Sequence, residues 1–309
     1  MKIIYMGTPD FAVAPLEAII KAGHEVAAVV TQPDKQKGRG KEVQMTPVKV
    51  CALSHNIPVL QPVKIKAPEA VSTLSRYPAD IFVVAAFGQF LSEEILTMPR
   101  FGCVNIHASL LPAYRGAAPI QWAVINGEER TGVTVQQMAK GMDTGDILLK
   151  KEVTIATDET GESLHDKLME AGAELIVEVL PLIERGELTP ERQDEALVSY
   201  APKLTKDMGR LNFNSDAVSL ERLIRGLNSW PSAYTIYKGK TLKIWEAEVL
   251  TDNQGKAPGE IIGVADKYFD VAVKEGALRV KSLQLEGKKR MAVKDFLLGY
   301  EMSPGMKLG

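Results

Sequence analysis

Cysteine is nearly absent: Cys51 and Cys103 are the two in 309 residues. A disulfide scaffold is thereby excluded, and of the two arrangements left, one bridge or two separate buried thiols, the second is expected. Long apolar runs are missing as well. The longest, Ile81 to Phe87, falls far short of the roughly 20 residues that a membrane-spanning helix needs. At the start of the chain Ile3-Ile4-Tyr5-Met6 stops at Gly7, too short for the apolar core of a secretory signal, and a cytoplasmic protein is expected. Histidine is scarce too. His24 follows a helix-ending glycine, His55 precedes Asn56 in a turn and His165 lies beside a helical apolar stripe. None of the three is spaced from another His, Cys or acid as metal ligands are, so no metal is expected. Neither the phosphate-binding P-loop pattern nor GxGxxG occurs: Gly7-Thr8-Pro9 has only the first glycine and Gly38-Arg39-Gly40 lacks the third. A nicotinamide oxidoreductase is disfavoured accordingly.

What is present has ordinary globular composition, 45% hydrophobic and 25% charged. The length suits two domains better than one core. Charge is distributed unevenly: residues 1–200 hold 19 Lys+Arg against 26 Asp+Glu, and residues 201–309 hold 18 against 13. An acidic first part joined to a basic second part points to a polyanionic partner.

The hydrophobic pattern predicts a strand at Lys2 to Met6, a turn at Gly7-Thr8-Pro9-Asp10 and a helix from Phe11 to Ala22. The alternation then repeats, with strands at 25–31, 58–60, 80–86, 103–107, 132–138 and 147–155 and helices at 46–54, 67–76 and 162–183. Such alternation, with several strands apolar throughout, predicts an α/β fold with a Rossmann-like, mostly parallel sheet covered on both faces. Residues 1–189 form that domain and the polar, Pro-containing stretch 190–206 a linker. Residues 207–309 read as one helix (216–228) and about five short alternating strands, with a bulge near Ser282, which fits a small OB-like β-barrel.

The most informative motif is Asn105-Ile106-His107, which closes an apolar strand, followed by Asp143 in Met142-Asp143-Thr144-Gly145-Asp146. On a strand, residues i and i+2 share a face, so Asn105 and His107 project together while Ile106 faces the core. An amide can hold a developing oxyanion, an imidazole can move protons near neutral pH, and a carboxylate can orient the imidazole. A lone histidine at a strand end is more often a core residue. Here it falls at the carboxyl end of a parallel strand, where such sheets keep their ligands, and runs into the turn-rich segment Ala108 to Pro119. Lys35, Lys37, Arg39 and Lys41, set between flexible glycines, read as a basic loop on the same rim, usually a solvated feature and here a candidate phosphate clamp.

These residues resemble the folate-dependent formyltransferases, whose pattern pairs Asn-x-His, then Ser-Leu-Leu-Pro, with a later Asp-x-Gly-Asp; Asn105 to His107, Ser109 to Pro112 and Asp143 to Asp146 match it. Met6 to Phe11, the loop around Arg39, Tyr114 to Pro119, Tyr200 to Leu204 and Gly287 to Met291 point within the family to members that act on charged initiator tRNA. The likeness spans essentially the whole chain. It implies transfer of a formyl group from 10-formyltetrahydrofolate to the amino group of methionyl initiator tRNA, with Asn105, His107 and Asp143 catalytic. It further implies that Ser109, Leu110, Leu111 and Pro112 line the folate site, with the backbone of Phe87, Gly88 and Gln89 and of Gly141 and Met142 at its edge. Lys37, Arg39 and Lys41 would meet the tRNA acceptor end, and Lys206, Arg279, Lys281, Lys288, Lys289 and Arg290 its backbone. A monomer without metal is expected. The alternatives are a related formyltransferase acting on an amino sugar nucleotide or glycinamide ribonucleotide, and an RNA-binding protein with an inactive catalytic fold.

Overall fold

A computed structural model of the chain describes residues 1–37 and 42–309. It forms two compact units, one of residues 1–119, 130–154 and 165–201, the other of residues 120–129, 155–164 and 202–309. In chain order the elements up to residue 201 are β1 (Lys2–Gly7), α1 (Val13–Lys21), β2 (Glu25–Val30), β3 (Lys35–Lys37), β4 (Glu42–Gln44), α2 (Pro47–Ser54), β5 (Val59–Leu60), α3 (Pro68–Leu74), β6 (Ile81–Ala85), α4 (Glu93–Leu96), β7 (Cys103–His107), β8 (Arg115–Gly116), α5 (Pro119–Asn126), β9 (Arg130–Gln137), β10 (Ile147–Thr154), α6 (Gly161–Arg185) and β11 (Tyr200–Ala201).

The main sheet of the first unit runs β10-β9-β7-β6-β1-β2-β5. Pairing is parallel from β5 to β7 and antiparallel from β7 through β9 to β10, so the expectation of a mostly parallel sheet holds. Central strands buried on both sides must be apolar throughout. Ile3, Ile4, Tyr5 and Met6 of β1 and Ile81, Val83 and Ala85 of β6 are fully buried. Helix starts follow local chemistry: Thr46 caps α2 by accepting from Lys49 N at 3.2 Å, and Pro47 and Pro68 open α2 and α3, where the missing N–H costs nothing. The chain reverses direction across the sheet at β1, which pairs with β2 on one side and β6 on the other, and such a switch leaves a crevice at the strand ends. There the Thr8 hydroxyl donates to Phe87 O (3.1 Å) and accepts from Gln32 N (3.3 Å), while Gln32 Nε2 also donates to Phe87 O (3.1 Å). The ends of β1, β2 and β6 are thus tied together.

One expectation changes. The basic segment from Lys35 is not open loop throughout, because Lys35 to Lys37 pair antiparallel with Glu42 to Gln44. With Val43 as its one β-branched residue, this exposed hairpin has no apolar alternation by which the sequence could announce it.

The second unit adds α7 (Ala217–Gly226), β12 (Ala233–Tyr237), β13 (Lys240–Leu250), β14 (Ile261–Ala265), β15 (Tyr268–Ala272), β16 (Ala277–Leu285), β17 (Met291–Ala292) and α8 (Val293–Leu297). Its antiparallel sheet runs β12-β13-β16-β15-β14, with β17 on β16. Leu242, Ile244, Phe269, Val271, Leu278 and Val280 point into one core with Leu220 and Ile224 of α7. The final residues link the two edges: Ile261 N donates to Met306 O, Leu308 N to Gly259 O and Gly309 N to Ile236 O, at 2.8, 2.9 and 3.1 Å. Joined edges leave no open template for aggregation, the usual advantage of a barrel. Register slips on both strands where Glu246 faces Ser282, so the bulge read from the sequence near Ser282 is present.

Gly132, buried in β9, gives a direct test of packing beneath the site. A Cβ there would lie 2.2 Å from Lys151 O and 2.5 Å from Leu110 Cδ2, a backbone clash that side-chain rotation cannot relieve. Gly132→Ala is expected to cost about 1–3 kcal/mol in urea unfolding, and an unchanged midpoint would contradict this tight fit.

Candidate active site

β7 delivers two chemically useful groups to one face. Asn105 is half-buried and His107 is buried, in register with Gln136 and Thr134 of β9. Ile106 points the other way, against α6, where a Cβ on Gly172 would lie 3.1 Å from Ile106 Cγ2. No described residue hydrogen-bonds the Asn105 carboxamide, so its N–H groups are available to a ligand. His107 Nε2 lies 3.0 Å from Tyr114 O. A carbonyl only accepts, so Nε2 carries a hydrogen; the other ring nitrogen, Nδ1, faces Asp143 Oδ1 at 3.6 Å.

Asp143 is held from three directions. Gly116 N donates to Oδ2 at 2.9 Å and Gln136 Nε2 to Oδ1 at 3.1 Å, while His107 closes the third side. Asp143 itself has φ of +53°, an uncommon conformation that Asp tolerates better than most residues. Gly145 is required in the same turn, since a Cβ would fall 1.6 Å from Gln137 O. Gln193 clamps the turn: its Nε2 donates to Asp143 O and Gly145 O, both at 2.7 Å. Its Oε1 accepts from Arg115 Nε at 3.0 Å, and the fully buried Arg115 side chain continues to Glu195 at 2.9 and 3.3 Å. β8 and β11 pair beside this chain, with Arg115 opposite Tyr200 and Gly116 opposite Ala201.

The three expected catalytic residues therefore converge. Gln136, Gln193, Arg115 and Glu195, which support them, were not singled out from sequence. Gln193 and Glu195 lie in a polar stretch without period, and nothing there marks Gln193 for its 5% exposure.

The loop after β7 is pinned from below. Thr134 Oγ1 donates to Ser109 O (2.7 Å) and accepts from Leu111 N (3.0 Å), while the Ser109 hydroxyl donates to Ala113 O (2.6 Å). Leu111 is buried, Leu110 packs over Gly132, and the Leu111–Pro112 peptide is cis. Leu110 and Pro112 remain half-exposed. Among the other residues assigned to this site, the Phe87 ring is core, and Gln89 is turned to the 62–65 segment, accepting from Ile65 N (2.8 Å) and donating to Pro62 O (3.3 Å). Only backbone is left to Phe87 and Gln89 for ligand contact, with Gly88 (φ +83°) between them and Gly141 exposed across the turn.

The cations divide sharply. Arg39 and Lys41, and with them the side chain of Lys37, lie outside the described residues. Arg279 is committed to Asp270 by two bonds of 2.9 Å and stacks over Tyr268; Lys281 pairs with Glu248. Lys206, Lys288 and Lys289 are exposed. Arg290 lies over the Trp245 ring at 5.2 Å with its Nε donating to Ser282 Oγ (3.2 Å), and Lys243 lies over the same ring at 5.5 Å, bonded to Ser232 Oγ (3.2 Å). Neither of these two has a carboxylate partner among the described residues. The bulge leaves Trp245 unpaired beside the Glu246–Ser282 pair, and Arg290 reaches both Trp245 and Ser282, a juxtaposition that charge counting from sequence does not reveal.

The chain is similar to known proteins over both of its parts. Residues 1–180 match the formyl transferase family model and residues 203–301 the formyl transferase C-terminal domain model. The chain is 54% identical to the methionyl-tRNA formyltransferase of Agathobacter rectalis, over 99% of this chain and 98% of the relative. It is 50% identical to that of Geobacter metallireducens, over 100% and 99%. Among solved structures, HypX from Aquifex aeolicus in complex with tetrahydrofolic acid shares the fold at TM-score 0.66 and 18% identity, covering 97% of this chain and 47% of HypX. The N-formyltransferase from Helicobacter canadensis, solved with folinic acid and dTDP-3-aminofucose, does so at TM-score 0.68 and 18% identity, covering 94% and 100%.

Gln193→Ala should leave the Arg115 Nε–H and two turn carbonyls without their partner, at a cost of about 1–3 kcal/mol. Hydrogen exchange should quicken at residues 143–145 well before global unfolding, and unchanged protection would refute the clamp. The Arg115 guanidinium holds the Glu195 carboxyl below its ordinary range. A depressed carboxyl contributes stability above its unfolded value and loses it as pH falls through the folded one, so protection of this turn should weaken in acid, below the ordinary carboxylate range.

Proposed function

The chain belongs to the formyl transferase family, and on that premise we propose that it transfers a formyl group from 10-formyltetrahydrofolate to the amino group of methionyl initiator tRNA, for translation initiation. What carries this reading is identity of 54% and 50% over essentially full length with proteins named for that activity. The residues present fit such a donor. An unengaged carboxamide at Asn105 adjoins a loop whose Leu110 and Pro112 offer half-exposed apolar surface to a flat ring system.

The reduced folate supplies the formyl carbon on a nitrogen that can leave. As the methionine amine attacks that carbon, negative charge grows on the formyl oxygen, and the Asn105 amide donates to it more strongly than to the ground-state carbonyl. The amine must shed a proton as its new N–C bond forms. His107 Nε2 is occupied by Tyr114 O, so the exchangeable position is Nδ1, on the side of Asp143. That pair takes the proton and returns it to the leaving nitrogen when the old C–N bond breaks, which balances the reaction without an outside acid. Asp143, 3.6 Å from Nδ1, orients the ring during the interval.

In the second unit, Lys243, Trp245 and Arg290 present two cations on an aromatic floor, suited to a phosphodiester with stacking. Lys206, Lys288 and Lys289 add exposed charge, and Arg39 with its neighbours supplies the corresponding charge in the first unit. Arg279 and Lys281 contribute less, being already paired. Contacts made mainly to phosphates predict tRNA affinity that falls steeply with salt.

Purified protein given 10-formyltetrahydrofolate should formylate methionyl initiator tRNA and leave free methionine, amino sugar nucleotides and glycinamide ribonucleotide unmodified; the reverse preference would sink the reading. Asn105→Ala and His107→Ala should each lower turnover about a hundredfold or more with tRNA affinity kept. The double variant Lys243→Ala/Arg290→Ala should raise KM for the charged tRNA about tenfold or more, leave folate affinity unchanged and reduce the salt slope by about two. Arg279→Ala is the comparison. An equal effect on KM would deny Trp245 and its cations a special place.

A further inference from the structure

We propose that Glu17, Cys51 and His55 form a binding site for a thiophilic divalent cation of the zinc class, in the first unit and apart from the Asn105–His107–Asp143 centre. Cys51 is 6% exposed in α2, and His55 follows four residues later at its C-cap, so both project from one face of the helix. Glu17 comes from α1. One ligand atom from each of the three lies within 4.8 Å of the other two, and Cys51 Sγ is 3.9 Å from Glu17 Oε1. Donors around a tetrahedral zinc stand about 3.5 Å apart, so small rotations of two side chains close the set. His55 can make that movement: its side chain is exposed, and no described residue hydrogen-bonds its ring.

The donor set itself selects the ion. One thiolate, one imidazole and one carboxylate suit zinc and its thiophilic neighbours, and exclude calcium and magnesium, which want oxygen alone. Three protein ligands leave one position to water. The proposal departs from the sequence-based expectation for His55, because the spacing from Cys51 gains meaning only once α1 adds a carboxylate beside it. Lys21 now pairs with Glu17 at 3.3 Å and must release it. Burial and the Glu17 carboxylate push the Cys51 thiol up to about 11, so metal entry at neutral pH displaces a proton from sulfur. None of these residues contacts Asn105, His107 or Asp143 through a hydrogen bond or ion pair.

Cobalt titrated into untagged, metal-stripped protein tests the site. One equivalent should produce a thiolate-to-cobalt charge-transfer band in the near ultraviolet, removed by zinc, with release of one proton. Cys51→Ser should abolish the band and Cys103→Ala should retain it; His55→Ala and Glu17→Gln should each weaken binding by about tenfold or more. Formyl transfer and far-ultraviolet circular dichroism of all four variants verify that they are folded. Absence of the band, its survival in Cys51→Ser, or affinity indifferent to both His55→Ala and Glu17→Gln would overturn the proposal, whatever the result of the formylation assay.

Discussion

The arrangement around Asn105 and His107 is organised by the carboxylate of Asp143, whose side chain is 15% exposed. A buried carboxylate costs several kcal/mol unless donors replace its hydration. Gly116 N–H and Gln136 Nε2–H donate to it, the His107 ring stands 3.6 Å away, and each reaches Asp143 from a different stretch of chain. That arrangement fixes more than the side chain. It holds the segment after β7, the end of β9 and the turn beyond it in one relation. Gln193 and Arg115 extend the same logic outward, because two turn carbonyls and a buried guanidinium need partners of their own. The chain of bonds ends at Glu195, at the surface, where a charge is inexpensive.

The elements that were legible in the sequence are those whose patterns are local. β1, β6 and β7 are written as apolar runs, and α6 and α7 as apolar stripes at helical spacing. Asn105 and His107 could be placed on one face because strand alternation decides it, and the bulge at Ser282 because a switch in that alternation betrays it. What stayed hidden depends on contacts between segments far apart in the chain. Gln193 reaches Asp143 across 50 residues, and its neighbours show no period of any kind. Joining of the sheet edges by residues 306–309 was equally invisible, since Met306 to Gly309 pair through backbone and need no particular side chains. At Phe87 and Gln89 the side chains are spent on the protein itself, which leaves the expected backbone contact of this segment open.

The second unit shows why net charge is a poor guide to a binding surface. By count alone, Arg279, Lys281 and Arg290 are equivalent. In the fold, Arg279 is held between Asp270 and the face of Tyr268, and removing it from that pair would leave a buried carboxylate unanswered. Its charge is already neutralised locally, so a phosphate would have to compete with a bidentate partner. Arg290 and Lys243 are constrained differently. Serine hydroxyls and an indole orient them without cancelling their charge, and the ring excludes water from one side of each. A cation positioned at little entropic cost, with its field intact, binds an anion better than one that is either free or paired. The strand irregularity leaves Trp245 unpaired between Ile244 and Glu246, and Lys243 and Arg290 meet at its ring, so that a scatter of positive charge gains a shape.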